Sequence, residues 1–461
     1  MSAAIVKSAF TADLARYRRS ASLWLLLLSA PVAARYMISE TEGEGINIAV
    51  GGQLPVLTSP VLGIWLGIVV SLLVMPVVFI YLRAGPTRAQ PWQVTESSAA
   101  PRVAIAMGRF LADAVIALGA LSALTAAGLF LGWLKVTGPF EPGVIIALAW
   151  LVAGPTLLAI AALRILFDAV PFLRGALGDF VFFMLWFAAL IIPSLLSEGP
   201  STFGGNLASL NGAIRPLVES APPGSDSFAV GTSSLKPGRI ELDPWAGIAA
   251  QGYIASRVSW VVFAFLIAIA AGLLYAPHKP KARREWFGFL ERFSLAKLIP
   301  RRAANAAPAG LSPLWAPGLV LAEMRLIGAG RWFVPLAAIS AIMAATNDFG
   351  RVGSPVILLL MVFALTAHAG RSEARGLLAL TGTAVLSPWA RRAAFVVAGT
   401  VLTAALALPA SVATASATPL VTGLVTGACA AAAAMGLAAI SGSAFMPRIV
   451  LLIAWYVYMA G

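Results

Sequence analysis

A chain of 461 residues that is 60% hydrophobic and only 11% charged, with a mean hydropathy of +0.89, excludes an ordinary water-soluble domain, where roughly a quarter of residues carry charge. A net charge of +13 would suggest nucleic acid in a soluble protein. In so apolar a chain it is assigned instead to Lys and Arg of cytoplasmic loops facing anionic headgroups, and no nucleic-acid partner is expected. The single cysteine, Cys429, closes no intrachain disulfide and leaves the redox compartment open.

Repeated apolar runs of about 20 residues predict an all-α polytopic membrane protein. "SAFTADLARYRRSASLW" mixes Asp13, Arg16, Arg18 and Arg19 with Phe10, Leu14 and Tyr17, which suits a helix lying flat in the cytoplasmic interface. The first span is expected over 23–38. Its "LWLLLLSAPVAA" also has the form of a secretory signal, and the expectation is that it is retained. "SETEGEGINIAVGGQLPVLTSP" is acidic and is placed outside; a second span follows over 61–82. "RAGPTRAQPWQVTESSAAPR" is basic and is placed inside. A third span, 103–134, is long enough to tilt or to leave the bilayer. A fourth covers 144–166. Arg164, Asp168, Arg174 and Asp179 are read as cytoplasmic loop charges before a fifth span at 180–196. The Gly/Pro/Ser-rich stretch 197–256 reads as a polar outer loop, and 258–276 as a sixth span.

Residues 277–315, with "HKPKARREWFGFLERFSLAKLIPRR", form a basic cytoplasmic linker. The rhythm then restarts. "LVLAEMRLIGAGRWF" echoes the first interfacial segment, with Arg325 before the span and Trp332 matching Trp24 at its entrance. Spans are expected at 333–346, 355–369, 393–408, 420–440 and from 449 onward, with "NDFGRVG" as an outer turn. The chain therefore divides into a first repeat (1–276, about six spans) and a second (316–461, about five). "RGALGDFVFFMLWF" and "GSAFMPRIVLLIAWY" correspond in style. About 11 (10–12) spans with a cytoplasmic N-terminus put the C-terminus outside.

Chemistry-bearing motifs are sparse. No Gly-x-x-x-x-Gly-Lys-Ser/Thr and no Gly-x-Ser-x-Gly occur, and His278 and His368 have no metal-spaced companions. No catalysis and no cofactor are expected in this chain. Arg109 and Asp113, four apart in the third span, read as an intrahelical ion pair, with a proton or substrate relay as the lesser alternative. The scarcity of other carboxylates in the spans counts against an ion-coupled carrier.

The order interfacial helix, span, outer turn, span, inner segment and long third span resembles ABC-2 type permeases, the membrane subunits of ABC transporters. The inner segments carry the resemblance: "LLALTGTAVLSPWARR" closely, "TESSAAPR" more loosely. The enlarged outer segment between fifth and sixth spans fits the same family. The departures are two units in one chain and a missing twelfth span.

The resemblance implies an exporter in a bacterial inner membrane, powered by a separate ABC ATPase, a dimer that carries ATP and Mg, with room for further membrane or periplasmic subunits. It makes Glu96, Pro101 and Arg102 in the first unit, and Thr383, Ser387, Pro388, Trp389, Arg391 and Arg392 in the second, candidates for coupling to that ATPase. There a short capped inner helix would plug into a cleft of the partner. The alternatives are an ATP-independent secondary transporter or flippase, and a non-transporting membrane scaffold.

Overall fold

The structure is a computed structural model. It describes residues 3–37, 47–84, 98–174, 176–195, 200–212, 215–222, 228–231, 236–276, 315–330, 332–370, 387–442 and 445–460. Glu96, Thr383, His278 and the linker up to residue 314 lie outside the described residues. The chain forms two units, Met1–Lys279 and Pro280–Gly461. Among the described residues, seven helices are long and apolar enough to cross a membrane. The protein is thus a helical membrane protein, but length and composition do not carry the count to eleven.

In the first unit, α1 (Ala3–Arg18) is followed by α2 (Ala21–Leu28) and α3 (Ala30–Met37). The continuous first span expected at 23–38 is therefore broken. The Ser29 hydroxyl donates to the Leu26 carbonyl at 2.8 Å, and Pro31 supplies no backbone N–H and restricts its predecessor, so one helix ends and another begins. α2 and α3 have eight residues each, and neither alone spans a hydrocarbon core of about 30 Å.

The second crossing is α4 (Ser59–Val69), a π-helical turn over Val70–Val74, and α5 (Met75–Ala84). Pro76 explains the π turn: it has no N–H for the carbonyl four residues back, Leu72, and a wider turn relieves its ring clash. Next come α6 (Arg102–Lys135), α7 (Pro142–Ala169), α8 (Ala176–Leu195), three short helices α9 (Phe203–Ala208), α10 (Arg215–Val218) and α11 (Pro244–Ala249), and then α12 (Tyr253–Leu273). α6 has 34 residues, about 51 Å at 1.5 Å per residue, and so extends beyond the bilayer core as its length suggests.

The stretch 197–256 is not a plain polar loop. β1 (Asn47–Val50) pairs antiparallel with β3 (Phe228–Gly231), and β2 (Leu54–Pro55) pairs parallel with β4 (Arg239–Ile240). Leu217, Ile240 and Ile248 reach down into the same apolar cluster as Leu57, Val61 and Ile145. Arg257, at the start of α12, is 1% exposed and donates to the carbonyls of Asn206, Ser209 and Leu210. Carbonyls replace the solvation that this buried cation loses. This structured cap defines one end of the unit; α4, α6, α7, α8 and α12 run alternately between it and the opposite end.

Helix α4 packs closely on α7 along Gly63 and Gly67. A Cβ on Gly67 would lie 2.7 Å from Val152 Cβ, whereas one on Gly119 would meet nothing within 4 Å. Gly67→Val is expected to lower stability by about 1–3 kcal/mol through overpacking, read as a thermal midpoint in detergent, while Gly119→Ala, in open space inside a helix, raises stability by up to about 1 kcal/mol.

The second unit contains α13 (Trp315–Ile327), α14 (Phe333–Thr346), a π turn over Phe349–Gly353, α15 (Ser354–Thr366), α16 (Pro388–Ala413), α17 (Thr418–Ser441) and α18 (Phe445–Ala460). The expected outer turn "NDFGRVG" is partly helical, because the Asp348 carboxylate accepts from Arg351 N at 2.7 Å and caps the π turn. α13 and α14 pack on α16, α15 packs on α17 and α18, and α16 packs on α17. In the first unit the same roles fall to α1 and α3 on α6, α4 on α7, α5 on α8, and α6 on α7. The first unit adds α12, packed on α6 and α7.

Candidate functional site

The end of the first unit opposite the cap holds a buried ionic network. Arg83, near the end of α5, donates to Asp179 at the start of α8 at 2.7 Å and lies 3.5 Å from Asp168. Asp168 lies 3.3 Å from Arg164, one turn earlier in α7. Arg164 donates to Asp113 of α6 at 3.0 Å, and Tyr17 of α1 donates to the other oxygen of Asp113 at 2.7 Å. One turn before Tyr17, Asp13 meets Arg16 at 3.0 Å and Arg109 at 3.8 Å. Asp113 is 0% and Arg164 3% exposed. Five helices are thereby tied together by carboxylates and guanidiniums in alternation.

This corrects the expected intrahelical pair. Arg109 and Asp113 do share a face of α6, but α1 and α7 pack there and each supplies its own opposite charge. Arg109 goes to Asp13 and Asp113 to Arg164. α1 is likewise more than an interfacial float: Asp13 and Tyr17 are buried against α6. Gly108 permits the approach, since a Cβ there would lie 2.6 Å from the Val6 carbonyl oxygen. Arg164 and Asp168 are helical rather than loop residues. Their i,i+4 spacing inside an apolar run was the signal, hidden because they stand close to a span end. Arg83 directly follows an apolar run and reads as an ordinary flanking cation.

The remaining charges at this end are held by aromatic rings and carbonyls. Arg83 lies over Phe79 and Phe167. Arg174 donates to the carbonyls of Asp168, Ala169 and Ala276, fastening the end of α7 to the end of α12. The Tyr275 ring has the Arg102 guanidinium 5.6 Å away and that of Arg174 at 5.4 Å.

The coupling candidates divide. Pro101 is the N-cap of α6 and Arg102 its first residue. Ser387 N-caps α16, its hydroxyl accepting from Ala390 N at 3.2 Å, and Pro388 is the first helical residue. Trp389 is 74% exposed, and Arg392 lies over its ring at 5.2 Å. Among the described residues, the motif "SPWARR" is thus the opening of the long crossing helix itself. Proline's fixed φ and missing N–H suit a first helical position, so α16 begins five residues before the expected 393. Arg391 lies in the same first turn, and both arginines are half-buried.

A two-point clamp occurs in both units. In α8, Trp186 donates to the Leu72 carbonyl at 2.8 Å, the very carbonyl that Pro76 leaves without its helical donor, and Asp179, seven residues earlier, accepts from Arg83. In α18, Trp455 donates to the Pro355 carbonyl at 2.8 Å, and Arg448, again seven residues earlier, donates to Thr366 Oγ1 at 3.1 Å. The clamped positions on the facing helix are eleven apart in each case, 72 and 83, 355 and 366.

Apolar crossing helices, a charge-locked end and a structured cap define a polytopic helical membrane protein. The chain matches no protein-family model, no curated protein and no solved structure.

Proposed function

We propose that the chain is the transmembrane subunit of an ABC-type exporter, built from two permease repeats and driven by a separate ATPase. The observation that carries this reading is the two-point clamp, repeated with the same spacing in two units whose helices share one packing plan. A clamp of that spacing argues for one architecture used twice, and the doubled unit is what a pseudo-symmetric partner to an ATPase dimer requires. The inner segments resembling ABC-2 permeases add the identity of the motor. On this reading the network end is cytoplasmic, consistent with its concentration of arginines, and so is the N-terminus. The cap faces outward, in a bacterial inner membrane.

The test is affinity purification of the tagged chain from its native membrane in mild detergent. An ATPase subunit is expected to accompany it, with hydrolysis that rises on reconstitution into vesicles. Transport that proceeds in vesicles without ATP, with no ATPase recovered, overturns the proposal.

A second reading, ion-coupled transport without ATP, is favoured by one finding: the helices bury carboxylates, Asp113 above all, that the sequence places elsewhere or pairs locally. Each of these acids already faces a guanidinium, which suits a structural lock better than a proton carrier. Collapse of transport on adding a protonophore, together with its loss in Asp113→Asn, would favour this second reading.

A further inference from the structure

We propose that one face of α16, along Ala393, Val397 and Val401, seats a membrane-crossing helix of another protein, one that carries small residues on its contact face. This rests on the two-unit part of the reading above and not on the ATPase.

In the first unit the corresponding face of α6 is covered by α12. Ala106, Phe110 and Ala114 of α6 share one apolar cluster with Ala264, Ala268 and Ala271 of α12. The Phe265 ring meets that of Phe110 edge-on at 5.2 Å. A Cβ on Gly272 would lie 2.5 Å from Val103 Cα, so the approach depends on a missing side chain. In lipid, apolar burial gives no preference for one helix over an acyl chain. Van der Waals packing holds helices together there, and small residues let the backbones close.

Both long helices are entered at a proline: Pro101 caps α6, and Pro388 opens α16. Counted from that proline, the fifth, ninth and thirteenth positions are Ala106, Phe110 and Ala114 in one helix. In the other they are Ala393, Val397 and Val401. Residues four apart share a helix face. Phe110 and Ala114 are buried, whereas Val397 and Val401 are 47% and 42% exposed, and Ala393 is exposed with them. Among the described residues the second unit has no counterpart of α12. The seat is repeated and its occupant is not.

The chemistry of the occupant follows from α12: an apolar helix of about 20 residues with Ala or Gly where Ala264, Ala268, Ala271 and Gly272 stand. A second copy of this chain fits less well. Its α12 is already packed on its own α6 and α7, and two α16 faces would meet valine on valine, without the small residues that close a helix pair.

The experiment places a photoreactive residue at Val397, or at Val401, in the full chain in its native membrane, with Val262 on the exposed side of α12 as the control. Both α16 positions are expected to give an adduct with a membrane-crossing segment of another protein, and Val262 to give lipid adducts. A synthetic peptide of residues 253–273 is expected to lower the α16 adduct about tenfold when present well above its Kd. The same peptide with Ala264→Leu, Ala268→Leu and Ala271→Leu is expected to leave it unchanged.

A covalent dimer of this chain, a link within the chain, lipid adducts alone, or an adduct that the peptide does not lower overturns the proposal. Lipid adducts alone beside a recovered ATPase leave the exporter reading standing. A peptide-sensitive adduct without an ATPase supports the seat and removes that reading.

Discussion

Arg164→Met is expected to destabilise the first unit by about 3–5 kcal/mol, the range for removing one partner of a buried ion pair. The residue lies between Asp113 and Asp168, at 3.0 and 3.3 Å. Its loss leaves Asp113 fully buried with only the Tyr17 hydroxyl as a named partner. The double change Arg164→Met with Asp113→Leu is expected to recover most of the loss, because no uncompensated charge then remains and apolar volume replaces the pair. Asp168 keeps Arg83 at 3.5 Å in both variants.

The measurement is the thermal midpoint and the detergent-resistant yield of Arg164→Met, Asp113→Leu and the double variant, combined as a double-mutant cycle. A single variant costing under about 1 kcal/mol would mean that water reaches the pair and that the network is not what joins α1, α6 and α7. Equal losses in single and double variants would assign the effect to packing.

The crossing helices were legible because apolar runs of the right length have few other uses. α6 and α7 fall within three residues of their expected ends. Three kinds of feature were not legible. The break at Ser29 depends on a hydroxyl competing for a carbonyl beside Pro31, a local contest that averaged hydropathy smooths over. The cap depends on four strands of two to four residues pairing across some 180 residues of sequence, too short to show alternation. The ionic network depends on which helix faces which: the residue types were visible, but periodicity alone pairs Arg109 with Asp113, and packing decides otherwise. The clamp was half visible. The segments around Trp186 and Trp455 correspond in the sequence, but the role of each indole emerges only with the carbonyl that it meets, one of them vacated by Pro76.

Replacing Arg391 and Arg392 together with Ala is expected to weaken coupling to the proposed ATPase about tenfold while leaving the fold intact. Both belong to the first turn of α16, after the Ser387 cap and Pro388. Neither the cap bond nor the helix start is touched by the change. Exposed ionic contacts contribute about 1 kcal/mol or less each, and two of them amount to roughly a tenfold change in affinity. Loss would be larger if the partner buries them.

The readout is ATP-dependent transport in vesicles beside the amount of ATPase retained on the tagged chain, with the thermal midpoint as the folding control. Trp389→Ala separates the two roles open to this turn. The indole is 74% exposed, and Trp at a helix end also anchors to the membrane interface. If Trp389→Ala lowers the midpoint in lipid vesicles while the double arginine change leaves both transport and ATPase retention at wild-type levels, the turn is a lipid anchor. Coupling through it is then excluded, and the scaffold reading gains. If the arginine change lowers transport and retention together at an unchanged midpoint, the start of α16 is where the motor takes hold.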